Sequence, residues 1–272
     1  MTILYFLGNA TKSQMFGCVL KTEHQTVVID GGTPGDGEQL AALLREKANG
    51  HVDRWYFTHP HHDHIGAFLH ICETASDIRI DGISCAFPSL CELKKHGTRA
   101  AWEVSLWETF ESLKNGRFRD TFHENHPGDR TEYGDTSVTV LRVYNPLIKE
   151  NFINNSSSVY RIDTPRKRVL ILGDLGIEGG EEMMKTVPAE ELDADYTQMA
   201  HHGQNGASES FYRYIRPRAC LWPAPDWLWD NNNGDGFDRG PWNTVRTREW
   251  MEALGVKTHI IEKDGTQEIL LS

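Results

Sequence analysis

Four histidines and an aspartate crowd into six positions, His59-Pro60-His61-His62-Asp63-His64, directly after the apolar run Val-Asp-Arg-Trp-Tyr-Phe-Thr at 52–58. Titratable groups packed that densely need a stabilising partner once any of them is buried. Neutral imidazole and carboxylate are the donors that borderline divalent metals such as zinc accept. At a strand-to-loop edge, His59 and His61 can turn to one ion while Asp63 and His64 turn to a second. The spacing therefore points to a two-metal site; the plainer alternative is a polar turn carrying surface histidines. Isolated histidines such as His24 and His259 read as surface residues.

A chain of 272 residues can bury one sizeable core, and a single domain over 1–272 is the simplest organisation. With 39% apolar and 25% charged residues, disorder is excluded for most of its length. Lys+Arg 28 against Asp+Glu 39 gives a net charge of −11, which argues against a broad basic surface for duplex nucleic acid or anionic lipid. A small-molecule substrate fits better, and the oligomeric state stays open. Five scattered cysteines (Cys18, Cys72, Cys85, Cys91, Cys220) without a C-x-x-C pair form neither a disulfide framework nor a thiolate metal site, and a reducing cytoplasm is the expected location. The opening MTILYFLGNA has no basic flank and reads as a strand rather than a leader. No apolar run approaches the length needed to cross a bilayer.

Along the chain, TILYFL, FGCVLKT and TVVIDGG form a strand meander, GEQLAALLREKAN a helix stopped by Gly50, and VDRWYFT a strand ending at His59. Helical periodicity resumes in IGAFLHICETA, IRIDGISCAF is strand-like, and Trp102 to Leu113 is amphipathic. The second half repeats the plan: a strand pair SSVYRID and RVLILGD, a short helix EEMMKTV, the strand DYTQMA, the helix SESFYRYI and the strand ACLWPA. A final helix, TVRTREWMEAL, and the strands THIIEK and EILL complete it. The rhythm is α/β, in two β-then-α halves with no linker between them. A Trp-, Asn- and Gly-rich insertion at about 223–243 interrupts it.

The pattern H-x-H-x-D-H after a strand resembles the metallo-β-lactamase fold superfamily, and further landmarks follow in order. VVID30-GG resembles its first motif, in which an aspartate at a strand end orients the metal-binding loop. VLILGD174 is similar to the strand-ending aspartate that bridges both metals, and DADYTQMAH201-H202-G to the late motif that gives the second metal its last histidine. The resemblance implies a four-layer αββα sandwich and a dinuclear centre with His59, His61, Asp63, His64, Asp174 and His201 as ligands and Asp30 behind them. His201 is taken as the ligand because it comes first after its strand, and His202 then becomes a catalytic candidate facing a substrate oxyanion or leaving group, or a hydrogen-bond support. Relatives carry a third histidine for the first metal upstream of the bridging aspartate. Here Asn154 occupies the position, followed by Asn155. An amide oxygen is a poorer ligand than imidazole, so the first ion is expected to be weakly held, exchanged for a harder ion, or completed by water. His123 or His126 could also fold in as a substitute. Asp195 reads as a cap or charge partner, and Cys220 as core.

Two divalent ions, Zn²⁺ first, with Mn²⁺ or Fe as alternatives, would lower the pKa of a bridging water and supply a metal-bound hydroxide, with Asp63 also holding the nucleophile's proton. Hydrolysis is the natural chemistry. The set NNSSSVYRI, LGD and AHHG is similar to the branch containing the competence protein ComEC and bacterial phosphorylcholine esterases, which implies a phosphodiester-type substrate. The alternatives are an acyl hydrolase for a lactone, thioester or β-lactam, and a binding module that keeps the fold without chemistry. A diiron electron carrier is disfavoured, because those relatives place a carboxylate where this chain has His61. Trp222, Trp227, Trp229 and Trp242 either wall a pocket for a cationic head group or pack the insertion onto the core.

Overall fold

In the strand Thr26–Asp30 all five residues are buried, which requires cover on both faces. Val27 and Ile29 join one apolar cluster and Val28 another, as the two-residue period of a strand dictates. The same alternation recurs in Arg168–Ile171, where Val169 and Ile171 share the cluster of Val27 while Leu170 faces a third. These alternations define four layers in the computed structural model, which describes residues 1–97 and 100–272.

The first sheet runs in the order Gln267–Leu270, Ile3–Phe6, Gly17–Lys21, Thr26–Asp30, Arg54–Tyr56, Ile83–Cys85, Phe122–Glu124. Its first four strands are antiparallel, and pairing turns parallel from Thr26–Asp30 onward. The second runs Thr258–Ile261, Ala219–Trp222, Tyr196–Gln198, Arg168–Ile171, Val159–Asp163, Thr136–Arg142, Arg130–Tyr133. It is parallel from Arg168–Ile171 to Thr258–Ile261 and antiparallel beyond. Between the sheets lie Leu4, Phe6, Phe16, Tyr56, Val138, Tyr160 and their neighbours. Helices Gly37–Ala48, His62–Thr74 and Ala101–Asn115 cover the outside of the first sheet, packing on Trp55 and Phe57. Ile177–Thr186, Glu209–Ile215 and Thr244–Ala253 cover the second. The expected αββα architecture is the one observed.

The sequence reading does not anticipate the helix Leu90–His96, whose start is marked by a capping box: Ser89 Oγ accepts the Glu92 amide while the Glu92 side chain bonds back to Ser89. The insertion at 223–243 holds the short helix Asp226–Trp229 and then turns pinned by Asn231, which donates to Asp238 Oδ1 (2.7 Å) and accepts the Trp242 amide (2.9 Å). Its aromatics pack onto the body: Trp222 is fully buried, the Trp227 and Trp242 rings lie 4.6 Å apart, and Trp227 donates to the Lys12 carbonyl. The cation over Trp229, at 4.1 Å, is Arg248 of the same chain. Among the described residues no helix is long and apolar enough to cross a membrane.

Candidate metal centre

The chemistry-bearing residues gather where strands of both sheets end. Asp30 closes its strand in the left-handed region (φ 54°), which lets the buried carboxylate fold back: Oδ1 accepts the Thr58 amide (2.8 Å), and Oδ2 the Thr58 hydroxyl (2.6 Å) and His64 Nδ1 (2.8 Å). The loop after Thr58 is fastened from outside by Trp107, whose indole donates to the Pro60 carbonyl at 2.8 Å. Helix His62–Thr74 begins inside the histidine run, so Asp63 and His64 occupy its first turn. His62 turns outward to Trp102, at 5.1 Å between rings.

Within the cluster, His59 Nε2 lies 2.9 Å from His61 Nδ1 and 3.6 Å from Asp174 Oδ2. His64 Nε2 is 3.2 Å from Asp174 Oδ1. Asp174 follows Gly173, which must be glycine: its φ is 57°, and a Cβ there would sit 2.8 Å from Thr58 Cβ. Gln198 holds this turn from the neighbouring strand, accepting the Leu172 amide and donating to the carbonyls of Gly173 and Met199.

The paired histidines differ in their surroundings. His202 Nε2 lies 3.2 Å from Asp63 Oδ2 and 3.4 Å from Asp174 Oδ2, and its Nδ1 faces the Pro223 carbonyl at 2.9 Å. A ring that donates Nδ1–H to a carbonyl presents its Nε2 lone pair to the cluster, the arrangement of a metal-ligating histidine. His202 is fully buried. His201 Nε2 is 4.0 Å from Asp174 Oδ2 and 3.4 Å from Asn154 Nδ2, and its ring is partly exposed. Of the two, His202 is the one whose donor atom groups with those of Asp63 and His64.

His123 and His126 do not substitute for the missing histidine: both are exposed and turn to Asp129, at 3.0 and 3.6 Å. Asp195 is a charge partner, bonding Lys167 Nζ and the Arg168 amide, and Cys220 is buried in the core. His259 is half-buried and accepts the Trp222 indole. Two supports went unrecognised in the sequence. Gln14 donates to Asp63 Oδ2 (3.2 Å) and accepts from Gln204 Nε2 (3.0 Å), linking the two halves; isolated glutamines carry no motif that would have revealed this.

The electrostatics are those of a self-neutralising core. Burial opposes charge on every group here, yet the Asp174 and Asp30 carboxylates push His64 up to about 10. His202 is likewise raised by Asp174 and Asp63. In return His202 and His64 hold Asp63 low, and His64, His202 and His59 hold Asp174 low, against the opposing effect of burial. Burial keeps His61 neutral, with a pKa lowered to about 4, and lowers His59 further with the charge of His64.

Oδ1 of Asn154 is buried without a hydrogen-bond partner, while Nε2 of His64 and of His202 meet only carboxylate oxygens, Asp174 Oδ1 and Asp63 Oδ2, each at 3.2 Å. Buried polar atoms with so few partners are costly unless something else satisfies them. Two triads, His59/His64/Asp174 and Asp63/His64/His202, each bring their donor atoms within 4.8 Å of one another. Nitrogen and carboxylate oxygen in this arrangement fit divalent metal ions.

The chain has the metallo-β-lactamase fold, and residues 18–80 match the family model described as Metallo-beta-lactamase superfamily. The metallo-β-lactamase fold protein YhfI from Bacillus subtilis superposes with a TM-score of 0.58 at 13% identity, covering 99% of this chain and 100% of that one. A diphosphatase from the PhnP family gives 0.52 at 14% identity, covering 100% and 98%. Yeast PDE1 gives 0.54 at 10% identity, covering 96% of each chain. No curated protein matches the sequence.

Proposed function

We propose that this protein is a metal-dependent hydrolase with a dinuclear centre and a phosphodiester-type substrate. The observation that carries the reading is the convergence of His59, Asp63, His64, Asp174 and His202 in two buried triads, with His61 Nδ1 against His59 Nε2 at 2.9 Å. A pair of divalent ions, zinc foremost and manganese or iron after it, would lower the pKa of water toward neutrality and polarise the substrate oxygen. Asp174, which faces His59 with one oxygen and His64 with the other, would be available to both ions. His202, Asp63 and His64 would hold the second. Asp63, steadied by Gln14, would be the carboxylate placed to accept a proton from water.

The phosphodiester preference is supported by the similarity of NNSSSVYRI, LGD and AHHG to the ComEC and phosphorylcholine-esterase branch. Two structures of the same fold, described as a diphosphatase and as PDE1, accord with it. A small substrate in the cytoplasm completes the reading, in keeping with the acidic charge and the scattered cysteines.

The test is turnover by protein loaded with Zn²⁺ or Mn²⁺. Hydrolysis of bis-p-nitrophenyl phosphate is expected. Hydrolysis of a lactone or thioester with no action on any phosphodiester would transfer the protein to the acyl hydrolases, and the absence of any metal uptake would leave a binding module.

A further inference from the structure

We propose that His201 supplies the third imidazole of the ion served by His59 and His61, in place of the histidine that Asn154 replaces, so that two consecutive residues serve different ions. The inference rests on the dinuclear reading above.

Consecutive side chains on extended backbone point to opposite sides. His201 and His202 instead both take left-handed backbone, with φ/ψ of 50°/50° and 58°/19°. For residues with a Cβ this backbone is strained and persists where the surroundings enforce it. Its effect here is that both imidazoles face the same carboxylate oxygen: Nε2 of His201 is 4.0 Å and Nε2 of His202 is 3.4 Å from Asp174 Oδ2. The turn is locked on either side. The His201 amide donates to the Gly173 carbonyl at 3.1 Å, and the next residue is Gly203 at φ 80°, where a Cβ would lie 2.5 Å from the Trp222 ring.

The two rings differ in their other neighbours. His202 joins Asp63, whereas His201 Nε2 meets Asn154 Nδ2 at 3.4 Å, the position the resemblance gives to the absent ligand. His59 Nε2 and His201 Nε2 lie 3.6 and 4.0 Å from one oxygen of Asp174. Donors sharing a tetrahedral ion with bonds of about 2.0–2.1 Å stand roughly 3.4 Å apart, so each ring lies close to that spacing from the Asp174 oxygen. Asn154 is the weaker claimant. Its Nδ2 is committed to Asn151 Oδ1 at 2.9 Å, and its remaining Oδ1 is a donor of a kind borderline ions take less readily than imidazole. The N–H that Asn154 points at His201 Nε2 keeps a proton off that nitrogen and so favours its lone-pair form.

The experiment counts ions on the full chain, by elemental analysis and by Co²⁺ titration followed in the visible spectrum. Wild type is expected to take two ions. His201→Gly, which preserves the left-handed turn without strain, is expected to hold one tightly and to bind the other at least 100-fold more weakly. His201→Ala provides a second variant. Asn154→Ala is expected to keep two, and Asn154→His added to His201→Gly to restore the lost ion. Two tight ions in His201→Gly, or loss of an ion in Asn154→Ala alone, overturns the inference and leaves the dinuclear reading standing. No ions on wild type overturns both.

Discussion

Nδ1 of His64 lies 2.8 Å from Oδ2 of Asp30, and the same carboxylate holds the amide and hydroxyl of Thr58. One buried group thus fixes the orientation of an imidazole and the start of the histidine loop together. Asp30→Asn keeps the shape but loses the charge that sets the tautomer of His64. Partners behind a metal-ligating histidine are worth about 10–100-fold in metal affinity, and a weakening of that size is expected in a chelator competition. Unchanged affinity would show that Asp30 serves the fold alone.

Gly173 offers a test of the second sheet's contribution. Alanine there meets both a positive φ of 57° and Thr58 Cβ at 2.8 Å, a clash with a strand end that cannot retreat. A loss of about 1–3 kcal/mol is expected in urea unfolding. An alanine variant as stable as wild type would mean that the Asp174 turn is looser than described.

Metal uptake should release protons. Without ions, Asp174 and Asp30 hold His64 up to about 10, and His202 is also raised, so both rings are imidazolium at neutral pH. His59 and His61 are lowered and stay neutral, each with a single N–H. Ligation requires neutral rings, so binding at pH 7 should expel about two protons, read by calorimetry in buffers of different ionisation enthalpy. The sign for stability follows from the same ring. Its folded pKa of about 10 lies above the ordinary 6.5, so its contribution in the metal-free protein is complete below about pH 6.5 and is lost as the pH rises toward 10. Metal-free melting temperatures should fall over that window.

Asp63→Ala and Asp174→Ala should each lower kcat/KM on bis-p-nitrophenyl phosphate by about 10³-fold or more. Circular dichroism should show both variants folded. A single variant with near wild-type turnover would remove that carboxylate from the reaction.

The sheets, their order of appearance and the histidine run were legible because alternation and ligand spacing are local patterns. VVID, RWYFT and RVLILGD each advertise a buried strand ending in a polar residue, and the structure ends strands at or near those points. What sequence could not rank was His201 against His202. Order after a strand assumes extended backbone, and the left-handed pair at 201 and 202 violates it. Nor could it reveal Gln14, Gln198 and Gln204, whose roles come from chain segments meeting in space, as with the 190-residue separation of Gln14 and Gln204. Helix Leu90–His96 was missed although its signal, Ser89 followed by Glu92, was available.

The cluster draws His59, Asp63 and His64 from beyond a strand end of the first sheet and Asp174 and His202 from beyond strand ends of the second, so it exists only once the halves have docked. Cations seated there would act as a rivet between them and resist unfolding. A cation supplied at 100 times its dissociation constant raises stability by about 2.7 kcal/mol. The protein's shelf life should therefore track its metal supply, and a chelator should hasten its proteolysis even where no substrate is present.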